Sequence, residues 1–178
     1  MPEKILLIYK SSTGFTRQYA QWISEEIPCT VLPLKEARTA LRTGFDTVLF
    51  GGRLHAGTVD GLKAARKLFQ KSGAGKFIVF ATGAAPQEAQ DTIEEMWKKN
   101  LSPEELGAVP HFYFPSGLRY ETMAFLDRKM MQLFQSMMEK RADKTEAERQ
   151  FAEAISHSYD ISSKEYIQPL VQLLQENS

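Results

Sequence analysis

The sequence predicts an α/β protein: a doubly wound parallel sheet of five strands, with a helical insertion before the last helix. Three observations carry this. Short, nearly continuous apolar runs, clearest at Asp46-Thr47-Val48-Leu49-Phe50-Gly51-Gly52 and Phe77-Ile78-Val79-Phe80-Ala81-Thr82-Gly83, have the composition of parallel strands covered on both faces. Stretches with apolar residues three and four apart alternate with these runs, which implies right-handed βαβ units. Finally, Ser11-Ser12-Thr13-Gly14-Phe15-Thr16, four hydroxyls around one glycine, joins the first apolar run to the first helical pattern.

Ile5 to Tyr9 is the first strand, and Thr16 to Ile27, with Tyr19, Ala20, Ile23 and Ile27 at helical spacing, is the first helix. Cys29 to Leu32 is a short second strand after Pro28, and Lys35 to Leu41 a short helix ended near Gly44. The third strand, Asp46 to Gly52, leads into a loop from Arg53 to Asp60, then a helical face of Leu62, Ala65, Leu68 and Phe69 that breaks at Ser72-Gly73-Ala74-Gly75. Phe77 to Gly83 is the fourth strand, followed by a loop over Thr82 to Gln87 and a helix over Glu88 to Lys99. Pro110 to Phe114 is the fifth strand and Lys164 to Leu174 the closing helix.

The Ser11–Thr16 loop has the chemistry of a phosphate cradle. It feeds a helix N-terminus, where the first backbone N–H groups lack intrahelical acceptors and the helix dipole is positive, and its hydroxyls add donors. Gly14 lets the backbone approach closely. No Lys or Arg lies in the loop, so a phosphate would be held mainly by neutral donors. The alternative is a plain helix cap, since Ser and Thr are common N-cap residues.

With 178 residues, 43% hydrophobic and 25% charged, the chain has the length of one globular domain. Its 22 basic and 22 acidic residues balance, so no global charge steers it toward nucleic acid, and none is expected as a partner. The one cysteine, Cys29, excludes an internal disulfide, and no metal site is expected because no Cys/His set has zinc-ligand spacing. Met-Pro-Glu-Lys and the short run after it lack signal-peptide features, and no stretch approaches about 18 consecutive apolar residues. A cytoplasmic location is expected, with peripheral membrane association left open.

The pattern Ser/Thr-x-Thr-Gly-x-Thr after the first strand resembles the FMN-phosphate loop of flavodoxins, matched here at Ser11, Thr13, Gly14 and Thr16, with Ser12 and Phe15 in the free positions. The resemblance implies a single flavodoxin-like domain over residues 1–178, with strand order 2-1-3-4-5 and FMN bound beyond the carboxyl ends of strands one, three and four. It further implies that the loop after the third strand, Leu54-His55-Ala56-Gly57, meets the flavin N5 edge. Gly57 would supply a carbonyl there, although it also fits an ordinary turn. Thr82, Gly83 and Ala84 would hold the ribityl chain and pyrimidine edge. Three features depart from shuttle flavodoxins: neither flavin-flanking loop has an aromatic residue, the net charge is zero, and a long segment separates the fifth strand from the last helix.

That segment, about 117–163, is too long for a structureless connection. Met123, Leu126, Met130, Phe134 and Met137 fall on one helical face, widened by Met131 and Met138, and five of the seven methionines lie here. A Met-rich face suits an adaptable binding surface, and equally a helix packed on the domain. The strings Gly117-Leu118-Arg119-Tyr120 and Asp127-Arg128 resemble the insertion of flavodoxin-like bacterial protoporphyrinogen oxidases, in which FMN takes reducing equivalents from the tetrapyrrole and passes them toward a membrane quinone. Where those enzymes read Arg-Tyr-Gly after the third strand, this chain has His55-Ala56-Gly57.

The expected function is therefore an FMN-binding redox protein whose partner is a redox protein, a quinone or a tetrapyrrole substrate. The alternative is a quinone-coupled, protoporphyrinogen oxidase-like enzyme, and a third class is a non-redox binding module of the same fold. Catalytic residues are not assigned. A phosphoacceptor receiver lacks its carboxylates, because Lys10-Ser11 and Gly51-Gly52 stand at those strand ends. Gly73-Ala74-Gly75-Lys76 precedes a strand, which excludes a nucleotide-hydrolase loop. His55, His111 and His157 have no relation to a nucleophile that makes a triad, and His111 beside Pro110 reads as structural.

Overall fold

Successive residues of a strand point to opposite sides, so an apolar run without polar alternation needs cover on both. The computed structural model, which describes residues 3–40 and 44–176, meets that need with helices on each side of one sheet. In chain order the elements are β1 (Ile5–Lys10), α1 (Phe15–Glu26), β2 (Thr30–Pro33), α2 (Ala37–Ala40), β3 (Thr47–His55), β4 (Thr58–Val59), α3 (Leu62–Ser72), β5 (Lys76–Gly83), α4 (Gln90–Asn100) and α5 (Pro103–Ala108). There follow β6 (His111–Pro115), β7 (Gly117–Leu118), α6 (Phe125–Lys140), α7 (Glu146–Ala154), β8 (Tyr159–Asp160), a 3-10 turn at Lys164–Ile167 and α8 (Gln168–Glu176).

The main sheet runs β2-β1-β3-β5-β6 with all four pairings parallel, and β4 folds back antiparallel on β3. With β4 set aside, this is the expected order 2-1-3-4-5. Leu6, Ile8, Val48, Phe50, Val79 and Ala81 fill the core on the side of α3 and α4 with Leu62, Ala65, Ile93, Met96 and Trp97. Their neighbours Ile5, Leu7, Leu49, Ile78 and Phe80 fill the other, with Tyr19, Ala20 and Ile23 of α1 and Leu170, Val171 and Leu174 of α8.

The structure revises the expected elements at several points. The third strand continues three residues past Gly52, and the segment expected as a loop from Arg53 is the start of a hairpin: Leu54 faces Val59 and His55 faces Thr58. Ala56 and Gly57 form its two-residue turn with φ of 49° and 79°, the double positive φ that matches strand twist in a type I′ turn. Nothing in Arg-Leu-His-Ala-Gly announces a strand by itself, and the pairing with β4 decides it. The helix expected from Lys35 begins at Ala37 after a turn, and its expected end, Leu41, lies outside the described residues. A short helix not anticipated, α5, opens on a capping box between Ser102 and Glu105 with Pro103 just inside.

The segment 117–163 is largely helical, as expected. Its base is closed by the β7–β8 ladder, with Gly117 opposite Asp160 and Leu118 opposite Tyr159. Gly117 has φ of 131°, and a Cβ there would lie 2.1 Å from the Tyr159 carbonyl oxygen, so the ladder forms only with glycine. Among the described residues no helix is long and apolar enough to cross a membrane.

One close approach ties β3 to β5. Gly51 sits in register beside Phe80, and a Cβ on Gly51 would fall 2.0 Å from the Phe80 ring. That ring is fully buried and packs at 5.2 Å on Phe114, which stacks at 5.0 Å on Tyr19. Gly51→Ala is expected to lower unfolding free energy by about 1–3 kcal/mol through overpacking. Gly75→Ala, which enters open space, should change it by less than about 0.5 kcal/mol. Urea denaturation checks both, and equal midpoints would contradict this packing.

Candidate functional site

Parallel strands deliver their following loops to one edge of the sheet, and at the β1/β3 reversal of chain direction those loops bound a crevice. The chain from Ser11 to Gly14 leaves β1 there and enters α1. Gly14 is the residue that caps α1, with φ of 96° and no side-chain hydrogen bond to the helix. Ser11 Oγ instead accepts the Gly14 N–H at 3.2 Å, inside the loop. The hydroxyls therefore do not cap the helix, which removes the plain-cap alternative. The N–H groups of Phe15, Thr16 and Arg17, in the first turn, have no intrahelical acceptor.

Phe15 and Thr16 are buried. Thr16 Oγ1 meets Thr82 Oγ1 at 2.8 Å and so locks the loop to the end of β5. Ser12 is exposed, and Thr13 half-buried. Beyond Thr82, the turn after β5 is shaped by two tyrosines from distant elements: Tyr113 donates to the Ala85 carbonyl at 2.8 Å and Tyr159 to that of Ala84 at 2.7 Å. Ser116 holds the Gly83 carbonyl from both its N–H, at 2.8 Å, and its hydroxyl, at 2.9 Å. Burial raises the Tyr113 hydroxyl well above its ordinary pKa and raises that of Tyr159 too, so both remain proton donors.

Together these loops border a cleft of about 80 Å³. Of the residues singled out in the sequence, Ser12, Thr13, Phe15, Thr16, Leu54, Thr82, Gly83 and Ala84 line it. Ser11 and Gly14 shape the loop behind it. His55, Ala56 and Gly57 do not line it; they sit on the hairpin beside it, where the Gly57 carbonyl accepts from Asn100 Nδ2 at 2.9 Å. Arg53, Ser116, Leu118, Arg119 and Met123 also line the cleft; the sequence offered Arg53 as a nearby positive charge and Met123 as part of an adaptable face, and no site role followed for the other three. Leu118 and Arg119 lay within a string that carried a family resemblance, while Ser116 had no local signal at all. A larger groove, about 1,460 Å³, opens between Lys10, Leu34 and the α3 face, but it includes only Ser11 of the phosphate loop.

The insertion is fastened onto this edge by polar groups. Asp127, in the first turn of α6, bonds Arg53 Nη1 at 2.8 Å and His55 Nε2 at 3.1 Å. Burial works to raise the Asp127 carboxyl, but the hydrogen bond and charge of Arg53, aided by His55, outweigh it and hold the group below the usual carboxylate range. Arg128 donates to the Tyr120 carbonyl, and Gln135 to the Tyr120 hydroxyl at 3.1 Å. The Met-rich face is packed only in part: Met123, Met131 and Met138 are half-buried, whereas Leu126 is 78% exposed, Leu133 62% and Met137 61%, with Phe125, Met130 and Phe134 also exposed. The inward side of the helix thus mixes Asp127, Arg128 and Gln135 with Met131 and Met138, and much of its apolar stripe faces outward.

A carboxylate held low contributes stability that is complete above its unfolded pKa, about 3.9, and is lost as pH falls through the folded value. Amide exchange in the first turns of α6 should therefore accelerate relative to α1 below pH of about 3.9. Asp127→Asn should show the faster exchange already at neutral pH and lose the acid step. Unchanged α6 protection in that variant would contradict the fastening described.

Comparison with known proteins follows from this geometry. Among solved structures the chain is similar to a WrbA-like flavodoxin from Agrobacterium tumefaciens, with 16% identity over 74% of this chain and 92% of that one at a TM-score of 0.41. It is similar to a flavoprotein in complex with FMN from Lactobacillus acidophilus NCFM (14% identity, 64% and 92% covered, TM-score 0.39). It is also similar to the Trp repressor binding protein from Bacillus subtilis (12% identity, 79% and 99% covered, TM-score 0.44). No curated protein matches the chain. The family model described as a flavodoxin domain matches residues 6–145. That match takes in the Ser11–Thr16 loop and all five parallel strands, and on it the chain belongs to the flavodoxin domain family.

Proposed function

We propose that this protein binds FMN at the carboxyl edge of β1, β3 and β5 and transfers electrons through it. The observation that carries this is the Ser11–Thr16 loop. Gly14 leaves the N-terminus of α1 without a side-chain cap, and Ser12 and Thr13 stand beside its open N–H groups at the cleft. An anion of phosphate size has donors there from backbone and hydroxyl alike. FMN, when bound, supplies the one- and two-electron chemistry, and the protein supplies binding, orientation and exclusion of water. Thr82, Gly83 and Ala84 offer their side of the cleft to the ribityl chain, and Leu54 and Met123 exclude water. In this reading Leu54 stands on the β3 side of the flavin ring, since the Gly57 carbonyl is held by Asn100 and His55 by Asp127. Small-molecule sites measure roughly 300–1,000 Å³, against about 80 Å³ here, so in this reading the cleft widens when the flavin ring enters.

A specific observation favours a second reading, a quinone-coupled protoporphyrinogen oxidase-like enzyme. The insertion residues that carry that resemblance, Arg119 and Asp127, are the ones bonded to the phosphate loop and the β3 hairpin. An insertion that takes part in the cleft suits an enzyme whose substrate is chosen there.

The purified protein is expected to be yellow and to release FMN on denaturation; a colourless protein that ignores added FMN would falsify the reading. Gly14→Val, which forces a β-branched residue into φ of 96° and toward Arg119, should weaken FMN binding by about tenfold or more, the equivalent of ~1.4 kcal/mol. Flavin fluorescence quenching measures it. For the second reading, the FMN-loaded protein is expected to oxidise protoporphyrinogen anaerobically with a quinone acceptor. Absence of turnover in a protein that still cycles its flavin would leave electron transfer between proteins as the function.

A further inference from the structure

Arg119 brings a cation to the N-terminus of α1. Its guanidinium lies 3.8 Å from the centroid of the Phe15 ring, in the first turn of α1. Nη1 donates to the Thr13 carbonyl at 3.2 Å and lies 3.1 Å from the point a Cβ on Gly14 would occupy. This is the positive end of the α1 dipole, which favours anions and disfavours cations. No acidic residue in the first turn of α1 offsets it. The carboxylate bonded to the guanidinium comes from across the insertion: Asp160, 2.9 Å from Nη2, which also donates to Gln18 Oε1 at 3.1 Å.

A guanidinium carries five N–H donors in a rigid plane. Three are engaged, by Thr13, Gln18 and Asp160, so Nε–H and one N–H on Nη1 have no partner among the described residues. The side chain is 31% exposed and borders the cleft. The guanidinium sits over the Phe15 ring, and the planar fork of an arginine suits bidentate bonding of phosphate.

We propose that Arg119 is the phosphate-recognising cation of this site. The loop has hydroxyls and N–H groups but no charge, and the insertion returns through β7 to supply one. By this route the protein prefers FMN to riboflavin, which is the same ring and ribityl chain without the phosphate. The inference rests on the FMN reading above and goes beyond it in making phosphate selection a property of the insertion. Arg119 would exchange its long bond to the Thr13 carbonyl for the phosphate oxygens, while Asp160 keeps hold of Nη2.

The test is to titrate flavin-free protein with FMN and with riboflavin by fluorescence quenching, for the wild type, Arg119→Gln and Asp160→Asn, at low and high salt. Wild type is expected to bind FMN at least tenfold more tightly than riboflavin, with a preference that shrinks as salt rises. Arg119→Gln should lose that preference while its riboflavin affinity stays within about twofold. Asp160→Asn, which removes the competing carboxylate, should keep the preference. Equal loss of both flavins in Arg119→Gln, or an FMN affinity unchanged by it, overturns the proposal by making Arg119 a fastening of the insertion alone. Should Arg119→Gln not fold, Arg119→Met takes its place with the same two outcomes. Wild type that binds both flavins equally overturns this proposal alone, whereas wild type that binds neither overturns the FMN reading with it.

Discussion

Covering a parallel sheet on both faces is the constraint from which the site follows. Leu6 and Ile8 need α3 and α4 on one side, while Ile5 and Leu7 need α1 and α8 on the other. A chain that must place helices on both faces reverses its winding between β1 and β3, and the loops at their carboxyl ends part there. The crevice is a result of topology before any functional residue enters it. Gly51 shows how tightly the halves are joined, since the Phe80 ring lies where a side chain would have been. The same aromatic layer continues through Phe114 to Tyr19, whose hydroxyl bonds the Pro115 carbonyl just where the chain leaves the sheet for the insertion.

The insertion inverts the usual rule for a surface helix. An amphipathic helix normally buries its apolar stripe, yet α6 attaches through Asp127, Arg128 and Gln135 and leaves Leu126, Leu133 and Met137 in solvent. Polar attachment is selective in direction: Asp127 joins Arg53 and His55 by bonds that a rotated helix could not make. The β7–β8 ladder fixes the other end of the segment. Between these two anchors the insertion contributes Leu118, Arg119 and Met123 to the cleft, so it belongs to the site rather than decorating the domain.

The cleft mixes two kinds of support. Thr16 of α1 with Thr82 of β5, and Ser116 just past β6 with Gly83 at the end of β5, are short polar ties. Tyr113 and Tyr159 hold the two successive carbonyls of Ala85 and Ala84 from opposite sides, one from the sheet and one from the insertion. Met123, an insertion residue with a flexible side chain, closes the cleft opposite these ties.

The sequence by itself determined the sheet, its order and the place of the hydroxyl-rich loop between β1 and α1. Burial on both faces writes itself into unbroken apolar runs, and a hydroxyl-rich turn before a helix is a local pattern. It fell short at the β3 hairpin, because Arg53 to His55 become a strand only by pairing with Thr58 and Val59. It showed an apolar stripe on α6 but not its direction, which depends on Arg53 and His55, more than seventy residues earlier in the chain. Arg119 belongs to this second kind. Its separation from Thr13 is 106 residues, and no periodicity or spacing spans that distance. Local order in this protein is a property of neighbouring residues, whereas the charge beside its Ser11–Thr16 loop is a product of the tertiary fold, because only packing brings groups so distant in the chain within hydrogen-bond reach.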